Sequence, residues 1–135
     1  MKLSVVGYPR IGTLRELKFA SEAYCKHTIE QTDLKQTANR LRQKHWKTQL
    51  EHSIEFIPTN DFSFYDTTLD TAVLLNLIPS RYRKLGLSPL DTYFAMARGS
   101  QGEHGDVKAL AMKQCFHTTY NYIDPALEVD TDICL

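Results

Sequence analysis

Three short apolar runs, set far apart by stretches of helical periodicity, constrain this chain most. Leu3 to Val6 is bounded by Gly7 and Pro9, "IEFIP" spans 54–58, and "YNYI" spans 120–123 before Asp124-Pro125. Each reads as a strand, because it is short, rich in β-branched or aromatic residues and flanked by turn formers. The intervals between them are too long for hairpins. Parallel neighbours need a crossover of about a dozen residues or more, usually a helix. The order strand, two helices, strand, helices, strand therefore predicts an α/β fold with a parallel sheet and crossover helices.

The helices have their own signals. Thr13 stands three residues before Glu16, the spacing of a capping box, so a helix is expected from about Leu14. Its apolar face is Leu14, Leu17, Ala20 and Tyr24, while Arg15 and Lys18 share another face near its start. Thr32 is the expected cap of a second helix, with Asp33 in its first turn. Leu34, Ala38, Leu41 and His45 recur at helical spacing there, and Trp46 and Leu50 widen the stripe. The cations Arg40, Arg42, Lys44 and Lys47 read as its solvated face. A third helix should bury Tyr65, Leu69, Ala72, Val73 and Asn76 and stop at Pro79. "SPLD" at 88–91 gives a serine cap, a proline at the first position and an acid in the first turn of a helix reaching Arg98. After the glycine-rich segment 99–106, another helix is expected over 107–116.

Composition narrows the function classes. Sixteen Lys and Arg balance sixteen Asp and Glu, which argues against a general nucleic-acid binder. No apolar run approaches the roughly 18 residues of a membrane span. The opening "MKLSVVGYPR" is too short in apolar residues for a signal peptide. The expected location is the cytoplasm. Three cysteines without a secretion signal, Cys25, Cys115 and Cys134, are expected as reduced thiols. "CKH" at 25–27 and "CFH" at 115–117 lack a closing pair at a familiar zinc spacing, and residues two apart on a helix point to different sides. No metal site is expected in this chain.

Seven stretches then fall together: "GYPRIG", "RELK", "HWKTQ", "FIPTNDFSFYD", "LDTAVLLNLIPSRY", "LDTYFAMARG" and F-x-T-x-Y-x-Y-I-x-P. In this order and spacing the chain resembles the N-terminal region of cobalamin-independent methionine synthase, from residue 3 to about 127. Members of that family transfer a methyl group from a 5-methyltetrahydrofolate polyglutamate to homocysteine. The resemblance implies a partial (βα)8 barrel of TIM type, with about three parallel strands over residues 1–127 and an acidic tail at 128–135. It also implies that zinc and its ligands belong to a C-terminal half that these residues do not match. The chain alone is then expected to be inactive.

What the resemblance carries to this chain is folate contact. "RELK" helps bind the glutamate tail in the family, and it matches Arg15, Glu16, Leu17 and Lys18. The residues agree with that role on physical grounds. The segment follows a strand and opens a helix, whose free N–H groups and dipole favour anions. Arg15 or Lys18 could add charge-assisted hydrogen bonds to a carboxylate. The plainer reading makes them exposed helix cations with Glu16 as a cap. The family usually reads "EMTKWFDTNYHYIVPE" where this chain has "AMKQCFHTTYNYIDPA" at 111–126. The resemblance therefore places Gln114 and Thr119 where the family has a folate-binding lysine and asparagine. The expected ligand is a 5-methyltetrahydrofolate polyglutamate. Alternatives are a non-catalytic interaction module, or a decayed paralogue, that pairs with itself or with a longer synthase chain through exposed sheet edges.

Overall fold

The computed structural model describes residues 2–103 and 105–128. The acidic tail expected at 128–135 lies outside the described residues except for Glu128, and so does Cys134. The chain divides into two compact units, Met1–Phe64 and Tyr65–Leu135. The described residues form a mixed α/β structure of five helices and one two-stranded sheet.

The first unit holds α1 (Glu16–Cys25) and α2 (Gln31–Glu51), packed against each other. The face of α2 is the expected one: Leu34, Ala38, Leu41 and His45 are buried, joined by Gln49 one turn further on. Trp46 is half-buried, but Leu50 is exposed. Leu17 of α1 and Phe62 complete this core, each buried apolar side chain contributing about 1.5–3 kcal/mol. The cap of α2 is Glu30 rather than Thr32. The Glu30 side chain accepts a backbone N–H in the first turn, and the Asp33 carboxylate accepts the Glu30 N–H at 3.1 Å. Glutamate is not a favoured cap, so the reciprocal pairing decides the start here.

The ends of α1 and α2 follow one pattern that sequence reading missed. After α1 the N–H groups of His27 and Thr28 reach the carbonyls of Tyr24 and Ala23. After α2, Ser53 and Ile54 reach Leu50 and Gln49 in the same way. His27 and Ser53 sit at φ 55° and 60°. This is the Schellman ending, usually built with glycine at the left-handed position.

The second unit holds α3 (Thr67–Leu74), α4 (Ser80–Arg83), α5 (Pro89–Arg98), β1 (Met112–Gln114) and β2 (Asn121–Ile123). α3 ends in the same Schellman pattern, with Asn76 at φ 60° and Leu77 donating to the Ala72 carbonyl. It buries Leu69 and Ala72, while Val73 and Asn76 remain half-exposed. α4 was not anticipated; its Tyr82 is fully buried and donates to the Lys108 carbonyl at 2.7 Å. Glu128 accepts the N–H of Ser80 at 2.9 Å at the start of α4. α5 begins as expected, with the Ser88 hydroxyl accepting the Asp91 N–H. Thr92 to Ala97 are all buried, as befits a helix surrounded by its unit. It ends at Gly99, where φ is 81° and a Cβ would stand 2.8 Å from the Val107 carbonyl oxygen. Only glycine fits there, because Ser100 and Val107 form an antiparallel bridge.

Asp66 ties this unit together. One of its carboxylate oxygens accepts the N–H groups of Leu69 at 3.1 Å and Ile123 at 3.2 Å; the other accepts the Tyr120 hydroxyl at 3.1 Å. The cap of α3 is thus also the anchor of β2. Beside it, the Tyr93 hydroxyl receives the Tyr65 and Asp66 N–H groups and donates to Asp70 at 2.6 Å. Burial, then the Asp70 carboxylate, push the Tyr93 phenol far above its usual range, so it stays a donor.

Two expectations about secondary structure and strand pairing also fail. The segment 107–116 is not helical; Met112–Gln114 pairs antiparallel with Asn121–Ile123 around a turn in which Phe116 sits at φ 49°. A short apolar run is ambiguous between helix and strand, and the β-forming partner "YNYI" resolves it by cross-strand pairing. Three parallel strands are not seen among the described residues, where the one sheet is antiparallel. The relation between the first two runs is parallel as expected, but it is a single bridge from Ser4 to Phe56. Both Glu55 and Phe56 donate to the Leu3 carbonyl, at 3.0 and 3.1 Å. Val5, Val6 and Phe56 are exposed, so no second layer in this unit covers a ladder there.

Candidate functional site

The sequence places its strongest candidate at the start of α1, and the loop before that helix explains its shape. The N–H of Tyr8 donates to the Asp61 carboxylate at 2.7 Å. The Tyr8 ring stacks on His45 of α2, with centroids 4.5 Å apart. His45 also faces Phe62, which the Arg42 guanidinium covers at 4.4 Å. Burial holds the His45 imidazole below its ordinary value, with Lys44 acting in the same direction and Asp61 and Glu16 opposing. Beyond Pro9 the loop turns into α1: the Ile11 carbonyl accepts the Leu17 N–H and the Gly12 carbonyl accepts the Arg15 N–H, both at 3.1 Å. Arg15 takes the cap position at φ 60°.

The expected capping box between Thr13 and Glu16 does not form. Glu16 is the first residue of α1, and no side chain caps the helix. Its carboxylate instead folds back over the loop and accepts the Leu14 N–H at 3.0 Å. Gly12 makes room for it, since a Cβ there would lie 2.1 Å from Glu16 Oε2. The carboxyl is held below its usual range, first by its own backbone N–H; burial opposes this, and the Leu14 N–H, then Lys44 and Arg40 of α2, lower it further. The backbone N–H groups of Leu14 and Glu16 thus already hold one carboxylate, and α2 supplies cations beside it.

The four matched positions therefore play different parts. Arg15 is exposed at the cap, Glu16 is folded inward, and Leu17 is a core residue. Lys18 is exposed and lies 3.8 Å from Glu22 one turn on, a surface pair with both side chains more than 40% exposed. Such pairs hold weakly, so Lys18 can exchange partners. Arg40 and Lys44, read from sequence as a solvated face, are neighbours of this site. The missed residues are Asp61 and His45. Their only sequence signals were a histidine on the apolar stripe of α2 and an acid in "TND" after the second apolar run.

Gln114 and Thr119 belong to the second unit. Gln114 closes β1, and its side-chain amide donates to the Thr118 carbonyl in the turn. The Thr119 carbonyl accepts the Asn121 side-chain amide at 3.3 Å. The cation nearest in sequence, Lys113, faces the other side of the strand, because successive strand residues alternate. It is paired with Asp124 at 2.9 Å, which raises its pKa. A cleft of about 290 Å³ in this unit is lined by Thr67, Thr68, Thr71, Ala72, Leu77 and Pro125. It presents hydroxyls and methyl groups but no charged group.

Among the described residues, no three of His, Cys, Asp and Glu converge on one point. The zinc implied by the resemblance therefore has no fitting donor set among those residues. No helix among the described residues is long and apolar enough to cross a membrane.

A family model described as "Cobalamin-independent synthase, N-terminal domain" matches residues 2–135. The chain belongs to this family. Curated relatives agree along the whole of it. A 5-methyltetrahydropteroyltriglutamate–homocysteine methyltransferase of Campylobacter jejuni subsp. doylei is 52% identical over 135 residues, all of this chain. One from Streptococcus suis is also 52% identical over 135 residues, and one from Bifidobacterium animalis subsp. lactis is 53% identical over 133. The chain spans 17–18% of the length of these relatives. As a cobalamin-independent synthase N-terminal domain, it holds "GYPRIG" and "TND" in contact through Tyr8 and Asp61.

Proposed function

We propose that this domain binds the glutamate tail of a 5-methyltetrahydrofolate polyglutamate at the start of α1 and takes part in methyl transfer to homocysteine, in methionine biosynthesis. The relatives' names supply the substrates. The observation that carries the reading is the Glu16 carboxylate, held by the Leu14 N–H beside Arg40 and Lys44. A nest that holds one carboxylate suits another, with exposed Arg15 and Lys18 as further donors. Glu16 and Leu17 contribute through backbone and packing. Gln114 and Thr119 would contribute weakly, since neither carries a charge and the Gln114 amide is engaged in its own turn.

On this reading residues 1–127 belong to a partial (βα)8 barrel, with 128–135 as its tail, in a cytoplasmic protein. The residues of this chain bind and orient; zinc, which would hold homocysteine as a thiolate, is supplied elsewhere, and this chain alone does not catalyse. A second reading, pairing with itself or with a longer synthase chain, is favoured by exposed Val6 and Phe56 beside the lone parallel bridge. A dimer or larger species in light scattering would support it.

The test of the first reading is a titration with mono- and triglutamyl folate. The parent chain should prefer the triglutamate, and added salt should weaken that preference. Lys18→Ala should remove most of it. Gln114→Lys with Thr119→Asn should raise affinity by about two to three powers of ten, at roughly 1.5–2 kcal/mol per new contact. Equal affinity for the two ligands, unaffected by Lys18→Ala, would leave these cations as a solvated helix face.

A further inference from the structure

We infer that Asp61 is a positioning residue for the glutamate-tail site: it staples the loop that sets the first turn of α1, and so places Arg15 and Lys18. The inference rests on the reading of that turn as the tail site. The staple is a charge-assisted bond, from the Tyr8 N–H to Asp61 Oδ2 at 2.7 Å, across 53 residues of sequence. The approach is close because residue 7 is glycine. A Cβ there would stand 3.2 Å from Asp61 Cβ and 3.3 Å from Oδ2. Tyr8 is fixed on its other side by its ring, stacked on buried His45.

From Tyr8 the chain has little freedom before the helix. Pro9 fixes one torsion, and the Ile11 and Gly12 carbonyls are bonded to the N–H groups of Leu17 and Arg15. Arg15 holds φ 60°, a conformation that a residue with a side chain keeps only where its surroundings impose it. The two loop carbonyls impose it, and Asp61 fixes the loop. Asp61 therefore acts on the site through backbone geometry, without touching the ligand.

The experiment compares the parent chain with Asp61→Ala, Asp61→Asn and Gly7→Ala. The readout is the ratio of affinities for triglutamyl and monoglutamyl folate, with Trp46 fluorescence reporting folding of the first unit. Asp61→Ala should cut the ratio by about tenfold, the worth of one charge-assisted hydrogen bond. Asp61→Asn keeps an acceptor oxygen and should restore most of it. Gly7→Ala pushes the loop off Asp61 without altering the carboxylate, and should lower the ratio too; it serves if Asp61→Ala fails to fold. A parent ratio above one, kept by Asp61→Ala or by a folded Gly7→Ala, overturns the role of Asp61. A parent ratio of one overturns the tail-site reading and this inference with it.

Discussion

Replacing Asp66 with alanine removes three hydrogen bonds from one buried carboxylate, and the structure fixes what each is worth. The bond to the Leu69 N–H caps α3, and losing such a cap costs about 1 kcal/mol. The Ile123 N–H is buried; left without a partner it costs about 1–3 kcal/mol. The Tyr120 hydroxyl belongs to a half-exposed residue and can turn to water, so its loss adds little. The sum is about 2–4 kcal/mol, or a fall of roughly 6–20 °C in the unfolding midpoint for a chain of this size. Asp66→Asn should behave differently. Both N–H groups use the same oxygen, Oδ2, and an asparagine carbonyl placed there keeps both. Its amide then donates to Tyr120, and the cost should stay under about 1 kcal/mol. The sole tryptophan, Trp46, lies in the first unit, so the assay is thermal unfolding by far-UV circular dichroism with amide exchange read at Leu69 and Ile123. Equal destabilisation by the two substitutions, or less than about 1 kcal/mol for alanine, would refute the shared-oxygen account.

Two further outcomes follow from the helix ends and from His45. Ser53→Gly should stabilise the chain by about 0.5–1 kcal/mol, because the left-handed position costs a residue with a side chain roughly 1–2 kcal/mol and glycine loses part of that gain to unfolded-state entropy. Asn76→Gly should gain nothing, because Arg83 binds both the Asn76 carbonyl and its side chain; chemical denaturation of each variant checks the contrast. The folded chain holds His45 below 6.5, so as pH falls through 6.5 the unfolded state takes up a proton that the folded state refuses. Stability should therefore be full above that pH and decline below it, and His45→Gln should flatten that part of a stability profile measured in urea.

The helices were legible where the sequence carried a period and a cap of common type. The stripe Leu34, Ala38, Leu41, His45 and the Ser88-Pro89 start needed only local rules. The end of α5 at Gly99 was legible, but those of α1, α2 and α3 were not, because His27, Ser53 and Asn76 replace the glycine that usually marks a Schellman turn. The strand at 112–114 was hidden for another reason. Nothing within 107–116 distinguishes strand from helix, and its partner lies across a turn that only tertiary pairing defines.

The loop and helix start that carry the candidate residues could be located in the sequence, but their geometry could not. The spacing of Thr13 and Glu16 predicted a cap at one position, but the glycine at 12 lets the carboxylate fold back instead. Glu16 thereby engages the Leu14 N–H from beyond the loop, and the cations that steady it, Arg40 and Lys44, come from a helix face that sequence reading left in solvent. The hairpin gives the same lesson in a different form. By count, Lys113 beside Gln114 keeps a cation near the expected place. By strand parity it faces the other way, and Asp124 already neutralises it at 2.9 Å. A cation one residue off along a helix shifts round the axis by about 100°, but one residue off along a strand changes sides completely. Restoring charge at 114 therefore does not duplicate Lys113, and a chain carrying Gln114→Lys should keep the Lys113–Asp124 pair intact while presenting a second cation on the opposite face.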